Sequence, residues 1–225
     1  MKLKIYQIAE NTDEKNLKFK SLSELRKEQS GDEIDSGIYT RVFTGDVDEE
    51  NLEDVFKRFN TEYHPLFRGH SMSVSDIAVT KDGAFYCDDS VFKKIEFDEN
   101  KTIPPENVLR AVYVEPNKPA YETEIENTLK ALQRAVGGYI EAVNISDGIS
   151  LVCNEEGKLD NLPGNRRIGN DIIAGAIVIV GNGEEDFRSL TDEETNRYLK
   201  EFARPEEISE EEVKNSIRAG VITFN

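Results

Sequence analysis

The chain has 225 residues, of which 37% are hydrophobic and 32% charged, and its formal net charge is −17. That length suits one or two domains with modest cores, and aliphatic and aromatic residues recur too evenly for wholesale disorder. The surplus of carboxylates repels phosphate backbones and attracts basic surfaces, which excludes ordinary nucleic-acid binding.

Residues 2–8 alternate and predict an opening strand, with a second strand over 38–44. Between them the polar stretch 11–36 predicts a long connection holding one short helix near 23–29. Leu52, Val55, Phe56 and Phe59 fall at i, i+3, i+4 and i+7, and Asp48, Glu49 and Glu50 stand where a helix start favours negative charge, so a helix is expected over 48–60. Residues 77–80 and 84–87 flank Asp82-Gly83, a tight hairpin signal, and 91–97 predicts a further strand. Pro104-Pro105 interrupts a polar stretch, which places a domain boundary there and gives domains 1–103 and 104–225.

The second domain opens on an apolar strand, 109–114. A helix is expected from Ile125, Leu129, Leu132 and Val136, with Gly137-Gly138 as its stop. Residues 139–145 and 149–153 bracket Asp147-Gly148, a second hairpin signal. The run 172–180 reads as one buried strand, far short of the roughly 20 residues that span a bilayer. Thr191 to Glu194 and Ser209 to Glu212 match the capping-box pattern, so two acidic helices end the chain. The fold class is therefore α+β: two small domains, each a mixed or antiparallel sheet with helices on one face. The amino terminus has no apolar stretch of signal-peptide length, and two distant thiols, Cys87 and Cys153, make no disulfide framework; a cytoplasmic protein without membrane association is expected.

Chemistry-bearing residues concentrate in four places. His64 to Asp76 holds both histidines, and His70, Ser71 and Asp76 are the residue types of a nucleophilic triad, although a loop braced by its own hydroxyl groups is the favoured reading. His64, His70, Cys87 and Asp88 are types that zinc accepts, but no paired-ligand spacing accompanies them, and neither metal nor cofactor is called for. Asn165, Arg166 and Arg167 form a compact basic spot, expected to pair with Asp160 or Asp171, with an anionic ligand as the alternative. Gly181-Asn182-Gly183 lacks the remaining residues of a phosphate loop. Between Glu184 and Glu212 twelve acidic residues face four basic ones, and Glu184, Glu185, Asp186, Glu206, Glu207, Glu210 and Glu211 are the candidate acidic surface.

Leu52 to Phe92 resembles the YodL-like domain, chiefly through Gly69-His70-Ser71-Met72-Ser73-Val74-Ser75-Asp76 and Phe85-Tyr86-Cys87-Asp88. Val114 to Phe202, with Leu162-Pro163-Gly164-Asn165-Arg166 and Asp171-Ile172-Ile173-Ala174-Gly175, is similar to an uncharacterised domain family of conjugative elements and phages. The resemblance implies a mobile-element accessory protein with a counter-defence role, of anti-restriction or anti-CRISPR type, and names no mechanism. The expected function is a non-enzymatic inhibitor, monomer or homodimer, whose acidic and DNA-mimicking surface binds a basic nucleic-acid-binding host defence protein. The alternative is a small-molecule or nucleotide-signal binder that uses Arg166 and Arg167 or the His70 region.

Overall fold

The structure is a computed structural model that describes residues 1–89 and 91–221, with side chains described up to residue 217. The chain divides into two units, Met1–Glu106 and Asn107–Asn225.

The first unit is a five-stranded antiparallel sheet. Its strands are β1 (Lys2–Ile8), β2 (Tyr39–Asp46), β3 (Ile77–Thr80), β4 (Gly83–Asp88) and β5 (Val91–Ile95), in the order β2-β1-β3-β4-β5. Asp82-Gly83 makes the predicted turn, with Gly83 at φ +121°, a conformation that glycine adopts without strain. Strand alternation sends Ile5, Phe43 and Ala78 to one face and Tyr6, Ile77 and Tyr86 to the other. Helix α2 (Leu52–Thr61) covers the first face through Phe59, whose ring lies 5.1 Å from that of Phe43. Helix α1 (Leu22–Gln29) places Leu22 and Leu25 in the core of the second, with Tyr6, Ile8, Tyr39 and Tyr86. The sheet is thus covered on both faces, one more than the sequence pattern suggests, because the polar connection contributes the Leu22 and Leu25 pair. Helix α2 begins later than expected: the Asn51 side chain accepts the Asp54 amide at 2.8 Å and fixes the start, leaving Asp48 to Glu50 ahead of it.

The second unit has the main sheet β7-β6-β12-β9-β8, built from β6 (Val108–Val114), β7 (Tyr121–Glu126), β8 (Ile140–Ser146), β9 (Ile149–Asn154) and β12 (Ile177–Asn182). A short β13 (Phe187–Arg188) also pairs with β12, and β10 (Gly164–Ile168) and β11 (Asp171–Ala174) form a separate hairpin. Helix α3 (Leu129–Val136) packs on one face, where the Tyr113 hydroxyl donates to the Ala135 carbonyl at 2.7 Å. Helix α4 (Asp192–Glu201) sets Tyr198 into the opposite core with Leu151, Ile177 and Ile179, and Phe202 follows it there. Helix α5 (Glu210–Val221) rests Val213 on Ile172 and Ala174 of the hairpin. Both terminal helices start as predicted, with reciprocal Thr191–Glu194 and Ser209–Glu212 caps.

Two further expectations are corrected in the second unit. The run 172–180 is two strands, because Gly175 turns the chain at φ +85° and a Cβ there would lie 2.7 Å from Leu162. Ile125 belongs to β7 and not to the following helix, which starts only after Thr128 caps the Ala131 amide at 3.2 Å. Among the described residues no helix is long and apolar enough to cross a membrane.

Candidate functional site

The Gly69 to Asp76 string folds around a side chain of β1, Gln7. The Gln7 Nε2 donates to Asp76 Oδ2 at 2.8 Å and to the His70 carbonyl at 2.9 Å, while Gln7 Oε1 accepts the His70 amide at 3.2 Å. Both amide hydrogens are then occupied, so the 3.2 Å approach of Nε2 to His70 Nδ1 is a contact and not a donation. The imidazole Nδ1 instead donates to the Ser71 carbonyl at 2.8 Å. Gly69 is required for this packing, since a Cβ there would stand 2.2 Å from Gln7 Oε1. The Ser73 amide also donates to Asp76 Oδ2 at 2.9 Å, and Ser75 Oγ accepts the Phe19 amide at 3.0 Å. Asp76 is buried, and loss of solvent pushes its pKa up to about 7 against the pull of its two hydrogen bonds. Gln7, and not His70, therefore meets the Asp76 carboxylate, and the three residue types of a triad sit together without its connectivity.

The other metal-ligand types are dispersed. His64 lies in the core, its ring 4.8 Å from Phe43 and stacked 5.4 Å from Phe59, and its Nδ1 accepts the Leu66 amide at 3.3 Å. Cys87 is buried in β4 and Asp88 pairs with Lys93. Among the described residues no three His, Cys, Asp or Glu side chains converge as a metal site.

The paired arginines of β10 part company. A register shift between Gly164 and Arg166 turns both Asn165 and Arg166 inward, and Arg167 outward. Arg166 is 1% exposed. Its Nη1 donates to the carbonyl and Oδ1 of Asn165 at 2.8 and 2.9 Å, and its Nη2 to the carbonyls of Lys118 and Phe202 at 2.8 and 3.2 Å. Asn165 Nδ2 in turn holds the carbonyls of Val114 and Gly175 at 2.8 and 2.7 Å. Burial lowers the pKa of Arg166, and its Nε has no partner. This guanidinium ties β10 to the chain after β6 and to the end of α4. Arg167 lies on the surface and bonds Glu206 at 2.8 Å and Glu212 at 2.6 Å, which raises its pKa. The expected pairing with Asp160 or Asp171 is corrected, since Asp171 takes Lys158 at 2.5 Å. Arg167, Asn170, Asp171, Glu212, Asn215 and Ser216 line an open cleft of about 300 Å³ between the hairpin and α5.

The acidic residues form two groups at the two ends of α4, a ten-residue helix about 15 Å long. Glu184, Glu185 and Asp186 occupy the turn between β12 and β13, next to the Asp147-Gly148 turn through the Asn182 amide and the Gly148 carbonyl, 2.8 Å apart. Glu206, Glu207, Glu210 and Glu211 lie between α4 and the first turn of α5. Glu206 is bound to Arg167 and Glu210 to Lys214, Asp192 meets Arg110, and Arg188 pulls the pKa of Glu194 down to about 2. Glu184, Glu185, Asp186, Glu193, Glu207 and Glu211 make no ion pair among the described residues.

The family model of the YodL-like domain matches residues 2–97, and that of a domain of unknown function, DUF3846, matches residues 109–203. The chain thus carries a YodL-like domain over residues 2–97 and a DUF3846 domain over residues 109–203. No curated protein and no solved structure matches it. The Gln7 and Asp76 knot lies wholly within the YodL-like match, and the Arg166 clamp within the DUF3846 match. Helix α5 begins beyond the latter.

Sequence reasoning overlooked Gln7 and the inward turn of Asn165. Gln7 carries a signal in retrospect: it follows Leu3 and Ile5 at alternating positions on one buried face of β1, a place that requires a polar partner for an amide.

Proposed function

We propose that this protein is a non-enzymatic binding factor of the cytoplasm that meets a basic, nucleic-acid-binding protein through carboxylates of its second unit. The observation that carries the reading is the set of six carboxylates at the two ends of α4 that make no ion pair among the described residues, set on a chain of net charge −17. Such groups attract a basic surface over about 8–10 Å at physiological ionic strength and speed encounter with it. The engagement of Gln7, His70 and Asp76 with one another supports a structural role for the one triad-like cluster. In its sharper form the partner is a host defence enzyme of restriction or CRISPR type, an expectation that comes from the family resemblance alone. A small anionic ligand at the cleft beside Arg167 is the second reading, and it requires displacement of Glu206 or Glu212.

The test is binding to a candidate partner at low and high salt by the parent and by a variant with Glu184, Glu185, Asp186, Glu207 and Glu211 changed to Gln or Asn. The reading expects affinity to fall with salt and with neutralisation. Equal affinity in all four measurements removes it.

A further inference from the structure

The main sheet of the second unit ends on β8, whose outer side pairs with no strand among the described residues. The Glu155 amide donates to the Tyr139 carbonyl at 2.9 Å, and β8 and β9 continue in register from that pair as far as Asn144, after which the register shifts. Hydrogen-bonded pairs alternate with non-bonded ones along an antiparallel ladder. Glu141 and Val143 therefore bond to β9, and Ile140, Ala142 and Asn144 turn their amides and carbonyls outward. No backbone bond to these outward groups is present among the described residues.

Exposed edges are normally blunted by charge, proline or cover. The opposite edge, β7, alternates Glu122, Glu124 and Glu126, and β5 of the first unit carries Lys93 and Lys94. The outer side of β2 is covered, its Tyr39 and Val42 carbonyls accepting the amides of Ile103 and Arg68. The seven residues of β8 include neither lysine nor proline, its register shift is confined to the end near Asn144 and Ser146, and Ala142 is exposed. Glu141 on β8 and Glu155 and Glu156 beside its start are exposed and make no ion pair among the described residues.

We propose that β8 is a docking edge that accepts an extended, basic segment of a partner as a seventh strand. Backbone groups of Ile140, Ala142 and Asn144 supply the ladder, and Glu141, Glu155 and Glu156 select lysine or arginine side chains. This rests on the acidic-surface reading above for the charge of the partner, and on the edge alone for the mode of binding. A second copy of this chain is disfavoured as the occupant because it would bring the same carboxylates together.

The probe is a synthetic peptide of alternating lysine and valine, about ten residues long, the upper range of a strand, with binding read by fluorescence anisotropy. Ala142→Pro removes one outward amide and no ladder bond to β9, so the fold is kept and is checked by circular dichroism. The expected result is at least a tenfold loss of affinity with Ala142→Pro, and a matching loss when the parent protein meets a peptide N-methylated at alternate residues. Glu141→Gln with Glu155→Gln and Glu156→Gln should weaken binding and flatten its salt dependence. No binding by the parent, or equal binding by Ala142→Pro and to the N-methylated peptide, overturns the docking edge. In the latter case salt-sensitive binding leaves the acidic-surface reading standing. A parent dimer that Ala142→Pro makes monomeric, without peptide binding, overturns it in favour of a second copy.

Discussion

Replacing Asp76 by Asn should abolish a pH dependence of stability that the parent protein carries. Both hydrogen bonds to Asp76 end on Oδ2, from Gln7 Nε2 and the Ser73 amide. The Asn amide oxygen takes the place of Oδ2 and its NH₂ group that of the protonated oxygen, so the variant mimics the neutral acid. An ordinary aspartate ionises near 3.8 and Asp76 at about 7, because burial disfavours the charged form. The folded pKa lies above the unfolded one, so the favourable contribution is complete below about pH 4 and is lost as pH rises to about 7. At about 1.4 kcal/mol per pH unit the whole effect is about 4 kcal/mol, with Lys18 opposing it from outside. Urea unfolding of parent and variant at pH 5, 6, 7 and 8, followed by tyrosine fluorescence since the chain lacks tryptophan, reads the difference directly; other carboxylates cancel. The variant should gain on the parent by about 2–3 kcal/mol between pH 5 and 8, the part of the effect that remains above pH 5. A difference that is flat, or that moves toward the parent as pH rises, refutes the argument.

Other outcomes follow from the same contacts. Arg166→Met should destabilise the second unit by about 3–5 kcal/mol in urea unfolding, because it strands four inward oxygen atoms, and Arg166→Lys should not restore it for lack of a planar fork. Arg167→Gln should change stability little, and less still at high salt, since its pairs with Glu206 and Glu212 are exposed. Gly69→Ala should lower stability by about 1–3 kcal/mol through overlap with Gln7. In a double-mutant cycle, Gln7→Ala should cancel much of the Gly69→Ala loss; strict additivity would argue against their contact.

Local signals carried most of the element order. The alternation of residues 2–8, the Asp82-Gly83 and Asp147-Gly148 turns and the two terminal capping boxes each act within a few residues of themselves, and each reappears in the fold. The errors arose where two periods overlap or where a tertiary contact decides. Ile125 stands four residues before Leu129 and so fits a helix, yet Tyr121, Thr123 and Ile125 also alternate, and pairing with β6 selects the strand. Gly175 lies inside an apolar run that offers no second turn residue, so only its left-handed φ reveals the corner. Adjacent arginines read as one basic spot, whereas the register shift in β10 separates a buried clamp from a surface ion pair. The acidic bias was plain in composition; its division into two groups depends on where α4 lies, and on arginines from strands distant in sequence such as Arg110 and Arg167.

The most direct test of the account is the occupancy of nucleic acid on a purified basic partner, titrated with this protein at two salt concentrations. Displacement that weakens as salt rises, and that the charge-neutralised variant fails to produce, is the predicted result. Binding to the partner with its nucleic acid still in place, equally strong at both salt concentrations, contradicts it.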